Sequence, residues 1–160
     1  MSDRYKELIK KYPDLFGIEG KPAPYNERSV ECGEGWYDLI DNLCAIVQSE
    51  VNQNEKVGPV RIQQIKEKFG TLRFYISGYS DYIRGAIIMA EQLSKYICEE
   101  CGEKGTIQPD MGWIKTLCHE CYHEWENIRA GKWSKQKPID AAIEEEYEDE
   151  VELYKTYGGD

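Results

Sequence analysis

The chain has 160 residues, with 41% hydrophobic, 12% aromatic and 31% charged positions, which describes a globular protein with room for one core and an appendage rather than a fibrous or disordered one. No apolar run approaches the roughly 18 residues of a membrane span, and the opening MSDRYKELIKKYPDLF has no apolar signal core, so no membrane partner is expected and the cytoplasm is the expected compartment. The net charge of -10 is uneven: Asp140 to Asp160 holds nine acids against Lys155 alone, which leaves the rest of the chain at only -2. An acidic tail therefore sets the low pI, and the body remains open to an anionic ligand.

Residues 2 to 12 predict a short helix capped by Ser2 or Asp3 and stopped by Pro13. Residues 17 to 35, rich in Gly and Pro, predict loop. From Trp36 the apolar positions Leu39, Ile40, Leu43, Val47 and Val51 recur at spacings of three and four, the stripe of an amphipathic helix running to about Asn52. Leu72, Phe74 and Ile76 alternate with Arg73, Tyr75 and Ser77, so the next segment predicts a β-hairpin over 59 to 68 and 71 to 78, turning at Gly70 in a position suited to positive φ. Asp81 is the expected cap of a second long helix, whose apolar face comprises Tyr82, Ile83, Ala86, Ile87, Ala90, Leu93 and Ile97 and which delivers the chain to Cys98. A short helix is expected in HEWENIRAGKW, then a basic linker and the acidic tail.

Cys98-Glu-Glu-Cys101 and, after 16 intervening residues, Cys118-His-Glu-Cys121 fit the spacing of structural zinc, in which two CxxC knuckles each bring two thiolates to one tetrahedral ion. Gly102 relieves crowding after the second thiol, and the PDMG turn lets the intervening segment fold back as the hairpin of a zinc ribbon. His119 and His123 stand close enough to replace Cys118 or Cys121. A shell of four thiolates has no open position, so the expected cofactor is a structural Zn2+. Redox cysteines or unligated thiols are the competing readings.

Between Arg61 and Arg73 the sequence carries Arg61, Lys66, Lys68 and Arg73 against Glu67, a local net of +3. Lys66, Lys68 and Gln64 share a strand face; a tight turn at Gly70 places Arg73 across from them and Tyr75 along its row. Such a set suits a phosphate or carboxylate, and equally describes a solvated sheet face. Tyr37, opening the first long helix, is a second stacking candidate, whereas Trp36 belongs to the apolar stripe. Arg129, Lys132, Trp133, Lys135 and Lys137 form another basic cluster, but the acidic tail beside it competes for those charges, so nucleic acid is not the expected partner. No GxSxG, Walker glycine loop or glycine-rich dinucleotide motif is present, and neither Cys32 nor Cys44 has a sequence-adjacent base, so an enzyme is not expected.

Together, Cys32-Gly-Glu-Gly-Trp-Tyr-Asp-Leu-Ile40, Ile65-Lys-Glu-Lys-Phe-Gly-Thr-Leu-Arg-Phe-Tyr75, Cys98-Glu-Glu-Cys-Gly102 and Trp113-Ile-Lys-Thr-Leu-Cys118 resemble a group of small phage and prophage zinc-ribbon proteins, over about residues 32 to 121. The resemblance implies a counter-defence factor in the host bacterial cytoplasm. Some such factors sequester nucleotide immune signals in pockets between the protomers of a homo-oligomer, a job that the basic hairpin would suit, with Lys66, Lys68 and Arg73 on phosphates, Tyr75 or Tyr37 on a base and Arg61 a further candidate ligand residue.

The resulting expectation is an α+β protein: residues 1 to 97 form a hairpin or small antiparallel sheet packed by two long helices, 98 to 125 a zinc ribbon, and 126 to 160 the basic linker and acidic tail. It binds an anionic, nucleotide-like small molecule without chemistry. The alternative is a zinc-stabilised adaptor that binds a host protein through its surface or tail.

Overall fold

The computed structural model describes residues 2–17, 30–78, 80–109 and 112–130. The architecture is α+β, as expected. Helix α1 (Asp3–Lys11) starts at Ser2, whose side chain accepts from the Tyr5 N–H. As expected, α1 ends just before Pro13, at Lys11; Pro13 then opens the short α2 (Pro13–Phe16), since proline at the first helical position gives up no needed donor. The described end of the expected loop is partly ordered: β1 (Val30–Glu31) and a 3-10 turn (Glu34–Trp36) lead into α3 (Tyr37–Gln53).

Strands β2 (Arg61–Lys68) and β3 (Thr71–Ser77) form the expected antiparallel hairpin, slightly shorter than the sequence suggested and irregular between Ile62 and Gln64. Lys68 faces Thr71 across the turn, leaving Phe69 and Gly70 as a two-residue connection with φ of 51° and 75°. Positive φ at both positions matches the twist of a hairpin, at a steric cost for the phenylalanine. The turn is held by Glu67 Oε1, which accepts the Gly70 N–H at 2.6 Å, and by Thr71 Oγ1, which donates to Lys68 O at 2.9 Å. On the other side of β2, β1 adds a parallel pairing of Val30 with Ile65 and Glu31 with Lys66.

The sheet order β1-β2-β3 leaves β3 at an edge. Helix α4 (Asp81–Ser94) covers it. Ser94 Oγ accepts the Leu72 N–H at 2.9 Å and Glu91 Oε1 accepts the Phe74 N–H at 3.0 Å, so two buried side chains satisfy edge amides that would otherwise seek another strand. The helix cap is Ser80, not Asp81: its hydroxyl accepts the Ile83 N–H while Asp81 becomes the first helical residue. The helix also stops at Ser94, four residues short of Cys98. Its apolar face is narrower than the periodicity suggested, because Tyr82 and Leu93 are exposed while Ile83 and Ala90 are buried.

Trp36 of the 3-10 turn and Ile40, Leu43 and Val47 of α3 join Leu8, Phe16, Ile62, Ile65, Leu72 and Ile83 in one core. Each fully buried aliphatic or aromatic side chain contributes roughly 1.5–3 kcal/mol of transfer free energy. Trp36 is wholly buried, so it is a core residue and not a stacking surface.

After α4 come β4 (Thr106–Gln108) and β5 (Lys115–Leu117), the antiparallel hairpin of the ribbon, and α5 (His119–Ala130). Helix α5 starts earlier than expected, within the second cysteine pair, and crosses the expected ribbon boundary at 125. Among the described residues no helix is long and apolar enough to cross a membrane. The acidic tail, and Lys132, Trp133, Lys135 and Lys137 of the second basic cluster, lie outside the described residues.

Candidate metal centre and its dock

The first cysteine pair sits on the tight turn after α4, where Cys98 N donates to Glu103 O at 2.7 Å and Gly102 N to Cys98 O at 2.9 Å. Gly102 has φ of 84°, the left-handed conformation that a β-carbon would disfavour. The second pair lies at the start of α5, where the Cys121 N–H donates to Cys118 Sγ at 3.4 Å. That hydrogen bond, with the neighbouring thiols, pulls the Cys118 thiol below its ordinary range.

The four sulfurs of Cys98, Cys101, Cys118 and Cys121 lie within 4.8 Å of one another, and Cys101 and Cys118 are 3.6 Å apart. Thiolates about 2.3 Å from a tetrahedral ion are separated by about 3.8 Å, so the cluster has the dimensions to hold a metal. The histidines are not part of it. His119 and His123 turn outward on α5 and meet each other, Nε2 to Nε2, at 3.1 Å. Cys98 and Leu117 form a small core of their own, with Tyr122 and Trp125 of α5 packed on it.

What the sequence did not reveal is how this unit is seated. The Cys32–Tyr37 segment and the tip of the main hairpin, two of the motifs in the sequence resemblance, converge on the other two. The Gly35 N–H donates to Glu99 O at 2.7 Å, the Gly33 N–H to Glu99 Oε1 at 2.9 Å, and Trp36 Nε1 to Ile97 O at 2.8 Å. A β-carbon on Gly35 would lie 2.1 Å from Cys98 O, and one on Gly33 2.3 Å from Glu99 O. Only glycine allows the two backbones to meet so closely. Tyr5 reinforces this strand of contacts, its hydroxyl donating to Gly33 O at 2.7 Å.

At the hairpin tip, Thr116 Oγ1 donates to Gly70 O, and Trp113 Nε1 donates to Glu67 Oε2 at 3.0 Å. Thr116 O accepts the Glu99 N–H at 2.9 Å, which ties both contact lines together. Between them Lys115 Nζ lies 3.4 Å from Glu99 Oε2 and 2.7 Å from Glu100 Oε1. Burial raises the Glu99 carboxyl above its usual range, opposed by the Lys115 ammonium and the Gly33 N–H. Burial works against the Lys115 charge, but Glu100 and Glu99 outweigh it and hold the ammonium.

The basic residues divide differently. Lys66 faces Arg73 and Gln64 faces Tyr75 across the hairpin, and Lys66 Nζ lies 5.5 Å from the Tyr75 ring centre. Lys66, Lys68, Arg73 and Tyr75 thus lie on the face opposite buried Leu72 and Phe74, with Glu31 beside Lys66 on β1. Arg73 donates to Leu72 O at 3.0 Å and to Thr71 Oγ1, which steadies its guanidinium along the strand. Arg61 pairs with Ser77 at the far end of the hairpin, five residues or roughly 17 Å along the strand from Lys66, and donates to Val60 O at 2.9 Å. Tyr37 lies at the α1–α3 junction, 4.1 Å beneath the Arg4 guanidinium and 5.9 Å from the Tyr5 ring. Neither belongs with the other four.

Cys32 and Cys44 are set apart from the metal cluster. Burial pushes the Cys32 thiol up to about 12, despite a hydrogen bond with Tyr5, and raises that of Cys44 further. Neither is a thiolate at neutral pH. No protein-family model, curated protein or solved structure matches this chain.

Two glycine substitutions separate the dock from general packing. Gly35→Ala forces its new methyl into the Cys98 carbonyl and is expected to cost at least about 3 kcal/mol. Gly85→Ala, on the exposed side of α4 with open space around it, is expected to add about 0.5–1 kcal/mol. Urea titration of both variants checks the pair; a Gly35→Ala loss no larger than a surface change contradicts the close approach.

Proposed function

We propose that the protein is a zinc-stapled, non-enzymatic binder of an anionic small molecule, with a nucleotide-like phosphate compound as the ligand class. The cross-strand pairing of Lys66 with Arg73, flanked by Lys68 and Tyr75 on the outward sheet face, is the observation that carries this reading. Two ammoniums and the Arg73 guanidinium, which Leu72 O and Thr71 Oγ1 steady along the strand, attract phosphate oxygens, and the Tyr75 ring offers a stacking surface to a base. Arg61 and Tyr37, remote from this set, are not assigned to it.

Zinc is the metal that four thiolates in tetrahedral reach suit best, and its shell would then be complete, giving it a structural rather than a catalytic role. The high thiol pKa of Cys32 argues in the same direction, since it offers no nucleophile at neutral pH.

Calorimetry of the full chain with cyclic and linear nucleotides at low salt is the test. Binding is expected, with Lys66→Glu weakening it at least about tenfold, or about 1.4 kcal/mol, and Arg61→Gln leaving it unchanged. Silence across the panel, or equal affinity in Lys66→Glu, removes the proposal.

A second reading, a protein-binding adaptor or homo-oligomer, is favoured by α4. Tyr82, Met89 and Leu93 are exposed there at 62%, 66% and 46%, spaced so that they fall along one side, and Tyr96 just past the end of the helix is exposed at 64%. A second copy of this chain is the simplest occupant of such a stripe. Sedimentation at tens of micromolar is expected to give a dimer that Met89→Glu converts to a monomer; a wild-type monomer under those conditions contradicts self-association.

A further inference from the structure

The outward face of α5 carries a group that the cysteine cluster does not use. His119 and His123 are one helical turn apart, so both imidazoles project to the same side, and their Nε2 atoms are 3.1 Å apart. Two nitrogens bound at about 2.0–2.1 Å to one ion lie about 2.9 Å apart at a right angle and about 3.4 Å apart at the tetrahedral angle. The observed spacing falls between these values. The rings meet edge to face, with centres 4.4 Å apart, so a modest rotation aims both lone pairs at one point.

The supporting groups fit the same purpose. His123 Nδ1 lies 3.1 Å from Glu126 Oε2, and the other carboxylate oxygen accepts the Tyr122 hydroxyl at 3.0 Å. A carboxylate on the far nitrogen fixes the ring and its tautomer so that Nε2 presents a lone pair, an arrangement common among metal-bound histidines. Both histidines are exposed, which gives an ion direct access.

We propose that His119 and His123 form a second, surface metal site for a borderline divalent transition ion, distinct from the cysteine cluster and positioned by Glu126. Two protein ligands leave the remaining positions to water or to a carboxylate or imidazole from a partner, so the site binds reversibly and can be bridged. It rests on the geometry of α5 and is independent of which metal the cysteines hold.

The experiment titrates Ni2+ into zinc-loaded full-length protein, following heat and the visible spectrum, alongside His119→Gln, His123→Gln and Glu126→Gln. One equivalent is expected to bind wild type in the micromolar range without zinc release or thiolate-to-nickel absorption, and to be lost in either histidine variant. Glu126→Gln is expected to weaken binding about tenfold, with helix content by circular dichroism unchanged. Equal nickel binding in wild type and both histidine variants overturns the site, as does binding that displaces zinc with thiolate-to-nickel bands. An unchanged affinity in Glu126→Gln overturns the role of that carboxylate.

Discussion

Two backbones meeting without side chains between them hold this molecule together. Gly33 and Gly35 lie against Cys98, Glu99 and Gly102 at distances no β-carbon tolerates, and the Gly35 N–H and Trp36 indole spend their hydrogen bonds on Glu99 O and Ile97 O. The first cysteine knuckle is thereby fixed to the start of α3, whose buried face is the centre of the core. The second knuckle is reached through β5, and β5 is fixed to the hairpin tip by Thr116 and Trp113. A metal held by the four clustered cysteines would close a loop that runs from the core, through β4 and β5 and back to the core.

Four separate stretches of the sequence, 32–40, 65–75, 98–102 and 113–118, meet in this arrangement. Taken one by one they are a glycine-rich loop, a hairpin tip, a cysteine knuckle and a ribbon strand. In space they are the two sides of one dock, and the buried Glu99–Lys115 pair lies within it. A buried pair of this kind adds little net stability but penalises any seating that separates its members.

Much of this was legible in the sequence because the signals are local. The cysteine spacing, the alternation from Leu72 to Ile76, the turn at Gly70 and the stripe of α3 each depend on residues a few positions apart, and each element formed where expected. What escaped depends on distance along the chain. The β1 pairing involves two residues and a partner 35 positions away, too short a strand for any periodicity. The edge amides of β3 are satisfied by Ser94 and Glu91, polar residues whose place inside the protein no pattern of apolar positions reveals. Gly33 and Gly35 read as loop residues because a glycine in sequence announces freedom, not the neighbour that needs it. Tyr37 looks available to a ligand from its place at the start of a helix, yet Arg4 of α1 covers its ring, a contact between residues 33 positions apart. The register did place Lys66, Lys68, Arg73 and Tyr75 on one face, as alternation predicted, while Arg61 was grouped with them by composition alone.

If a metal in the cysteine cluster and the glycine dock act as one unit, removing the metal must loosen both, and hydrogen exchange before and after chelation reads this out. Purified protein is expected to hold one zinc per chain. Stripping it should expose the Gly35, Cys98 and Glu99 amides to rapid exchange while the Ile65 and Leu72 amides of the main sheet stay protected. Unchanged protection at Gly35 and Glu99 after complete metal removal, or no bound metal at all, would contradict the account.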